Sequence, residues 1–465
     1  MFISPDEDDY SMSLKRFESM LKTNKVFFFD SEEFEDIILH YLDSGKLHLA
    51  KKALKLGLEQ HPMSSGLKLV QVEVLIFEDK LDAAEKLLNE LQVLEPNNDE
   101  IYIQRATLYS KRDQHDKAIA SLQMALEYTN DPIDVHNLLG MEYLFMDELE
   151  LAKQSFICCL DEDLEDQSAL YNVVYCFEFL DQIQEAIAFL ESYVDKQPYS
   201  EIAWHQMGRL HYILKDYVAS VRAFEYATYI DDSFIGAFME MGKALEKLNR
   251  PADAIACYKE TIELADATSY ALLRLGKCYE KLKNYTEALK YYNRTVHEDP
   301  MLDKAWIAIT DLHLKQKNYQ KALHFTNKAL EIDNENRYYW QRFAQINLAL
   351  KNHEDAEIGF TKAVTLGDLK LTTWLSWADM KLEQGLLEQA CIILLQAFDF
   401  FPDHANICFR LCGIYFTLNQ TEYGTYHLMN ALMDRASRMK VLQQQFPEVW
   451  KMALVQEIIA RHLFE

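Results

Sequence analysis

Several groups of residues in the sequence have chemistry that could bind a metal ion. His404, Cys408 and Cys412 are spaced four apart on one helix face, but ligands spread over two helical turns lie too far apart to converge on one ion. The acidic run 161–166 lacks the glycine and the ligand spacing of a calcium loop. His353 and Glu354 lack the second histidine of the H-E-x-x-H motif. We therefore predict no metal site.

The motifs that support catalysis are missing as well. The sequence contains no glycine-rich phosphate loop, no G-x-S-x-G nucleophile elbow and no C-x-x-C pair. Its eight cysteines are too few for a disulfide scaffold, and we expect them to be buried, unreactive thiols. These observations predict no catalytic residue, no cofactor and no enzymatic activity. An enzyme with its site inside a helical superhelix is the minor alternative.

A row of cations has a spacing that chance does not explain. Arg209, Lys243 and Lys277 follow one another at an interval of 34 in the sequence, and so do Lys247, Lys281 and Lys315. The whole chain is strongly acidic, with a formal charge of −27, so its composition does not force cations into register. The interval of 34 indicates a structural repeat.

The same period covers most of the chain. Twelve units, each 34 long, begin at Ser31 and run through 31–438 without an insertion. The twentieth place of successive units holds Ala50, Ala84, Ala118, Ala152, Ala186, Ser220, Ala254, Ala288, Ala322, Ala356, Ala390 and Gly424. Small residues at one fixed place indicate a close helix crossing. Place 8 is also small, and bulky rings at place 4 of a neighbouring helix could fill the space that it leaves.

Apolar residues within a unit follow two helical stripes. Places 4, 7, 8 and 11 form the first, places 20, 24, 27 and 28 form the second, and places 14–17 are polar. Each unit therefore predicts helix A, a turn and helix B. One such hairpin cannot bury both of its faces, so neighbouring hairpins must stack.

This pattern resembles the tetratricopeptide repeat (TPR). The clearest match is the unit 269–302, with Leu272, Leu275, Gly276, Tyr279, Ala288, Tyr292 and Pro300. The resemblance implies an all-α fold, a right-handed α-solenoid superhelix of about twelve gapless repeats with helical caps. It also implies a concave face, lined by helix A, that holds an extended peptide or a partner helix. The layout is similar to that of long cytosolic bacterial multi-TPR adaptor proteins.

The ends of the chain predict caps for the repeat array. Residues 1–30 read as an acidic tail followed by a capping helix from Ser11 to Asn24, and Asp30 with Glu33 predicts a capping box. Residues 439–465 read as a C-terminal cap whose helix spans 447–463. Docking by the first helix and dimerisation through the last are the alternatives.

The N-terminus and the charge predict the cellular setting. The start of the chain lacks the basic and apolar regions of a signal peptide. No uncharged apolar run reaches the length of about 18 residues at which a membrane-spanning helix becomes a candidate. We therefore expect a cytoplasmic chain without membrane insertion. Most of the acid excess lies within 1–200, which disfavours nucleic acid as a partner. The oligomeric state stays open.

Places 2, 5, 9, 12 and 13 of helix A are not needed within the hairpin and predict a partner-binding groove. In repeats 4–6 these places hold Met141, Phe145, Tyr171, Tyr175, Phe179 and Tyr212. In repeats 6–9 they hold Arg209, Lys243, Lys247, Lys277, Lys281 and Lys315. Two structural alternatives remain: the rings could pad a tight superhelix, and lysines at place 13 could complement the helix dipole. A three-repeat carboxylate clamp is not supplied.

The sequence thus predicts a non-enzymatic interaction scaffold or adaptor. Its partner would be a protein or peptide segment with apolar and acidic residues, bound in the concave groove. The alternative is a structural subunit of a larger assembly that uses its convex face or its ends.

Overall fold

The computed structural model describes residues 5–23, 27–265, 268–435 and 439–464. Those residues form helices joined by short turns, and no strand occurs among them. The helices group into two compact units, Met1–Asp232 and Ser233–Glu465.

The first unit contains the N-terminal helix and six hairpins. Its helices are α1 (Pro5–Thr23), α2 (Ser31–Asp43), α3 (Leu47–Gln60), α4 (Ser65–Phe77), α5 (Leu81–Leu94), α6 (Asp99–Lys111), α7 (His115–Tyr128), α8 (Ile133–Phe145), α9 (Leu149–Glu162), α10 (Gln167–Phe179), α11 (Ile183–Lys196), α12 (Glu201–Ile213) and α13 (Tyr217–Ile230). Consecutive hairpins stack, because α2 packs on α4, α4 on α6 and α10 on α12.

The second unit contains six further hairpins and three short C-terminal helices. Its helices are α14 (Ile235–Lys247), α15 (Pro251–Leu264), α16 (Ser269–Lys281), α17 (Tyr285–Glu298), α18 (Asp303–Lys315), α19 (Tyr319–Ile332), α20 (Arg337–Ala349), α21 (His353–Thr365), α22 (Leu371–Glu383), α23 (Leu387–Phe400), α24 (Ala405–Thr417), α25 (Thr421–Arg435), α26 (Lys440–Gln445), α27 (Pro447–Trp450) and α28 (Ala453–Phe464). Each helix B packs against the next helix A, as α15 does on α16 and α23 on α24.

The helices begin where the repeat places them. Every helix A starts at the first place of its unit and every helix B at the seventeenth. The residue at place 15 has a positive φ in all twelve described turns, between 55° and 75°. In the first turn, Gly45 donates to Leu42 O at 2.9 Å and Lys46 to Tyr41 O at 2.7 Å. This Schellman motif ends helix A and reverses the chain.

The small residues at place 8 accommodate aromatic rings, but from a different place than expected. A Cβ added at Gly140, Gly208, Gly242 or Gly276 would lie 2.3–2.7 Å from the ring at place 24 of the same unit, which is Phe156, Phe224, Tyr258 or Tyr292. The prediction that place-4 rings fill this space is wrong. The hairpin's own helix B supplies the ring, because places 8 and 24 face each other across the close helix crossing.

Three of the place-4 rings instead bind the loop that precedes helix A. Trp204 donates to Pro198 O at 3.0 Å, Trp306 to Pro300 O at 2.8 Å and Trp340 to Asn334 O at 2.7 Å. Each of these indoles therefore satisfies a loop carbonyl in the turn upstream, and the rings of Trp204 and Trp306 stack on Tyr226 and Phe325 of the same hairpins.

The N-terminal helix begins earlier than the sequence suggests. It starts at Pro5 rather than Ser11, so only residues 1–4 of the predicted tail lie outside the described residues. Phe17 and Phe29 are buried against Phe34 of the first repeat, while Phe28 remains exposed. The capping box forms, since the Asp30 amide donates to the Glu33 carboxylate at 2.9 Å.

The C-terminal segment differs more from its prediction. The expected single helix over 447–463 is interrupted at Lys451 and Met452, and an additional helix, α26, precedes it. Val455 and Ile459 are buried, whereas Leu454 is exposed. The interruption shifts the helical phase, so no single apolar stripe runs through 447–463.

Candidate functional site

The predicted groove residues divide between the two compact units. Met141, Phe145, Tyr171, Tyr175, Phe179, Arg209 and Tyr212 belong to the first unit, and Lys243, Lys247, Lys277, Lys281 and Lys315 belong to the second. We therefore describe two surfaces, the aromatic surface of repeats 4–6 and the cationic surface of repeats 7–10.

The aromatic surface consists of exposed rings on helices A. Phe145 is 62% exposed and Phe179 is 64% exposed, and Met141, Tyr171 and Tyr175 are exposed as well. The rings of Tyr175 and Phe179 lie together, with centroids 4.3 Å apart. Exposing such large apolar side chains to water is unfavourable, so they are suited to contact another molecule.

Two further members of the predicted set are engaged within the first unit. Arg209 forms an ion pair with Glu178 at 3.2 Å and also donates to Gln206. Tyr212 is half-buried, and its ring lies 5.3 Å from that of Tyr217. These contacts hold the two side chains at the edge of the aromatic surface.

Glutamates of the preceding repeats pair with two members of the predicted cation row in the second unit, Lys281 and Lys315. Glu246 accepts from the Tyr258 hydroxyl at 2.7 Å, and it pairs with Arg274 at 2.9 Å and Lys281 at 3.8 Å. Glu280 accepts from the Tyr292 hydroxyl at 2.7 Å and pairs with Lys315.

The contact with Glu280 also stabilises the charged form of Lys315. The hydrogen bond to Glu280 raises the pKa of Lys315 above its usual value. Because Tyr258 and Tyr292 fill the space at the place-8 glycines and position both carboxylates, the same side chains serve packing and charge balance.

Lys243 and Lys247 behave differently. Lys243 forms an ion pair with Glu240 at 2.6 Å, and its ammonium lies 5.3 Å from the centre of the Tyr270 ring. Lys247 is exposed and makes no ion pair with a described residue. The cation row is therefore a mixture of paired and unpaired charges.

A cavity of about 650 Å³ opens on the cationic surface between repeats 8, 9 and 10. Its lining includes Lys277 and Lys304, neither of which pairs with a carboxylate of the described chain, and apolar residues such as Ile307. Its two carboxylates are already occupied. Glu280 is bound as described above, and Asp311 pairs with Arg342 at 2.7 Å and accepts from the Tyr338 hydroxyl at 2.8 Å.

Lys277 is the most unusual group in this cavity. It is half-buried, and it forms no ion pair with any residue that the structure describes. Burial, followed by the nearby charge of Arg274, lowers the pKa of Lys277 below its usual value. An anion placed in the cavity would favour the charged form of this lysine.

Sequence reasoning found two of the cavity cations, Lys277 and Lys315, and missed Lys304 and Arg342. Lys304 stands at place 2, one of the places assigned to the groove, but no other unit has a lysine there, so no row indicated it. The arginines at place 6, Arg274, Arg342 and Arg410, occur in repeats 8, 10 and 12. A search at twice the repeat length would have found that signal.

The remaining candidates for chemistry are structural. Seven of the cysteines are buried, and Cys158 is half-buried. Burial raises the pKa of the Cys159 and Cys176 thiols to about 11, which keeps them protonated and weakly nucleophilic. Among the described residues, no group of three or more His, Cys, Asp and Glu side chains could hold a metal ion. None of the helices in these ranges is long and apolar enough to span a membrane.

Hairpins of one length, stacked within each unit, define a helical repeat protein of all-α class. Family models described as tetratricopeptide repeat match residues 239–301 and residues 99–132. The chain therefore contains tetratricopeptide repeats. Proteins of this family generally mediate protein–protein interaction or scaffold assemblies.

Comparison with known proteins adds the following likenesses. No curated protein sequence matches the chain. The C-terminal part of a TPR repeat-containing protein from Cytophaga hutchinsonii has a TM-score of 0.43 at 16% identity, and the match covers 52% of this chain and 99% of that one.

Two further solved structures are similar at lower scores. YrrB, described as a TPR protein with an unusual peptide-binding site, has a TM-score of 0.36 at 20% identity, over 43% of this chain and 99% of its own. A chain of the APC/C hetero-tetramer Cut9–Hcn1 has a TM-score of 0.37 at 13% identity, over 98% of this chain and 94% of its own. Scores of this size carry no inference about the partner of this chain.

Proposed function

We propose that this chain is a non-enzymatic scaffold that binds protein segments on its helix-A surfaces. The aromatic surface of repeats 4–6 would take apolar side chains, and the cavity of repeats 8–10 would take acidic groups flanked by apolar ones. The observation that carries this proposal is the pair Lys277 and Lys304, which face a cavity whose carboxylates are already paired.

Charge balance favours an acidic occupant of the cavity. A half-buried ammonium without a counter-ion is unfavourable, so a carboxylate entering the cavity gains a charge-assisted hydrogen bond and relieves that cost. Ile307 and Leu314 offer an apolar wall beside the two lysines. A segment that alternates acidic and apolar residues therefore matches both linings.

The aromatic surface supplies a second kind of contact. Tyr175 and Phe179 are rigid, exposed and adjacent, as residues that dominate binding energy usually are. Removing them should mainly speed dissociation, whereas removing cations should mainly slow association.

The experiment that tests this proposal compares how wild type and matched variants of the full chain bind the same partner proteins. Proteins bound to the chain in its native cell are identified by affinity purification and mass spectrometry, and binding of each purified partner is then measured. We expect the double variant Lys277→Gln/Lys304→Gln to lower the affinity for an acidic partner about tenfold or more, because losing charged contacts at an interface costs roughly 2 kcal/mol. Lys290→Gln, which removes an exposed lysine on helix B of repeat 8, is the control.

The aromatic surface is tested in the same way. Tyr175→Ala with Phe179→Ala should increase the dissociation rate, and Tyr229→Ala, which truncates an exposed tyrosine on α13, should not. If both double variants remain folded and bind every partner as wild type does, the helix-A surfaces are not the binding site.

One observation favours the alternative function, a structural subunit of a larger assembly. The helices B of repeats 10–12 carry an apolar surface, on the other helix of the hairpin from the cavity residues. An assembly contact there is compatible with a scaffold that binds a segment on helix A.

A further inference from the structure

The outward stripe of helix B changes character near the C-terminal end of the repeats. Place 22 holds lysine, arginine, histidine, glutamine or alanine in repeats 1–9, and it holds Ile358, Ile392 and Tyr426 in repeats 10–12. Place 25 is likewise Leu395 and Met429 in the last two repeats, where most earlier repeats have a polar residue. The packing of the hairpin does not require this change, since the earlier repeats pack without it.

The apolar side chains of this stripe are all exposed. The helix-B surface, as we call it, consists of Ile358, Ile392, Leu395, Tyr426, Met429 and Met433, which are between 39% and 74% exposed. Helices α23 and α25 contact each other through the rings of Phe398 and His427, which meet edge to face at 5.6 Å. Single exposed apolar residues are ordinary, but several at equivalent places of successive repeats indicate a contact surface.

Acidic side chains border this surface on one side. Glu354, Glu388 and Glu422 all stand at place 18, one turn before the apolar residue at place 22. All three are exposed, and none forms an ion pair with a described residue. Acids in the first turn of a helix also complement its dipole, but that effect does not place them beside an apolar stripe.

Bases are nearly absent from the same helices. Among the side chains that the structure describes on α21, α23 and α25, Lys362 is the one exposed lysine or arginine, whereas Asp355 and Asp399 are further exposed acids. The surface is therefore apolar in its centre and negatively charged at its edge.

We propose that the helix-B surface of repeats 10–12 binds an amphipathic, basic helix of a partner protein. Apolar residues of the partner cover Ile392, Leu395, Tyr426 and Met429, and its lysines or arginines lie along the glutamate row. A second copy of this chain fits less well, because it presents the same glutamates and a total charge of −27. The proposal is independent of the cavity on helix A.

Synthetic peptides of about 18 residues, or five helical turns, test this proposal on the full-length protein. The first is an amphipathic helix of Leu and Lys, the second replaces Lys with Glu, and the third replaces Leu with Gln. We expect the double variant Ile392→Asn/Met429→Asn to bind the Leu/Lys peptide about tenfold or more weakly, because apolar contacts at the centre of an interface contribute most of its binding energy. The affinities of the other two peptides should not change.

Matched variants separate this surface from other binding. Tyr229→Asn removes an exposed ring from helix B of repeat 6 and should leave the Leu/Lys affinity as in wild type. Lys277→Gln with Lys304→Gln should also leave it unchanged, so failure of the helix-A proposal does not affect the result. Glu388→Gln with Glu422→Gln should reduce the salt dependence of binding.

Three results would overturn the proposal. The first is a folded Ile392→Asn/Met429→Asn variant that binds the Leu/Lys peptide as tightly as wild type. The second is a variant that loses as much affinity for the Leu/Glu peptide as for the Leu/Lys peptide, because charge would then have no role in binding. The third is a wild-type protein that self-associates in sedimentation and becomes monomeric on the same substitution, since the occupant would then be a second copy.

Discussion

Glu246 and Glu280 determine how much of the cation row can face a partner. Each accepts a tyrosine hydroxyl and pairs with cations of the following repeat, so Arg274, Lys281 and Lys315 are satisfied inside the protein. Regular spacing therefore identifies a row of charges but not their availability. Availability depends on contacts between repeats, which leave Lys277 as the half-buried ammonium without an ion pair among the described residues.

His427 makes stability depend on pH. It is buried between the Tyr415 ring at 5.5 Å and the edge of the Phe398 ring, and burial lowers its pKa below the usual value, opposed by Asp403. Since the folded pKa lies below the unfolded value of about 6.5, the unfolded chain binds more protons between the two. Stability is therefore lost as the pH falls below about 6.5, by up to about 1.4 kcal/mol per pH unit.

The measurement is denaturant unfolding between neutral and mildly acidic pH. We expect His427→Phe, which keeps a ring in place, to lose less stability than wild type on acidification. His324→Phe replaces an exposed histidine of α19 and serves as the control, which should follow wild type. Equal pH slopes for wild type and His427→Phe would show that the buried imidazole is not the cause.

At the scale of the helix, the small residue at place 20 allows the two helices to cross closely. Ala254 is fully buried on α15, while Ala256 on the same helix is exposed. We expect Ala254→Leu to overpack the joint and to lower the free energy of unfolding by about 1–3 kcal/mol. Ala256→Leu should stay within about 0.5 kcal/mol of wild type. Indistinguishable denaturation curves for the two variants would mean that place 20 is not a close crossing.

The period of 34 predicts elements inside the array better than at its ends. Every helix start in the hairpins follows from comparing one unit with eleven others. The terminal helices have no second copy, so their bounds rest on local signals, and those signals missed the start at Pro5 and the interruption at Lys451.

Only part of the candidate site could be predicted from the repeat period. The lysine row at places 9 and 13 and the exposed rings of repeats 4–5 could be read from the period. The pairing of Asp311 with Arg342, and hence the charge of the cavity, depends on side chains that meet only across stacked repeats. The handedness of the array stays a prediction, as does the combination of both surfaces into one groove.

At the scale of the molecule, the net charge of −27 acts differently on the two proposed partners. An acidic segment approaching the cavity is repelled by the whole chain and attracted only by Lys277, Lys304 and their neighbours. A basic helix approaching the helix-B surface is attracted by both the chain and the nearby glutamates. Long-range and local forces therefore oppose each other in the first case and add in the second.

This difference predicts unequal salt dependence. Raising the salt from about 0.05 to about 0.5 M shortens the screening length from roughly 14 to roughly 4 Å. Higher salt should strongly weaken binding of the Leu/Lys peptide, because it screens both the attraction by the net charge and the attraction by the nearby glutamates. A Leu/Glu peptide, whose binding should depend on Lys277 and Lys304, loses a local attraction together with a long-range repulsion, so its affinity should change less. Isothermal titration of both peptides across this range checks the prediction, with the Gln/Lys peptide reporting attraction by charge alone. A steeper salt slope for the Leu/Glu peptide than for the Leu/Lys peptide would mean that local charges, not the net charge of the chain, govern how partners approach.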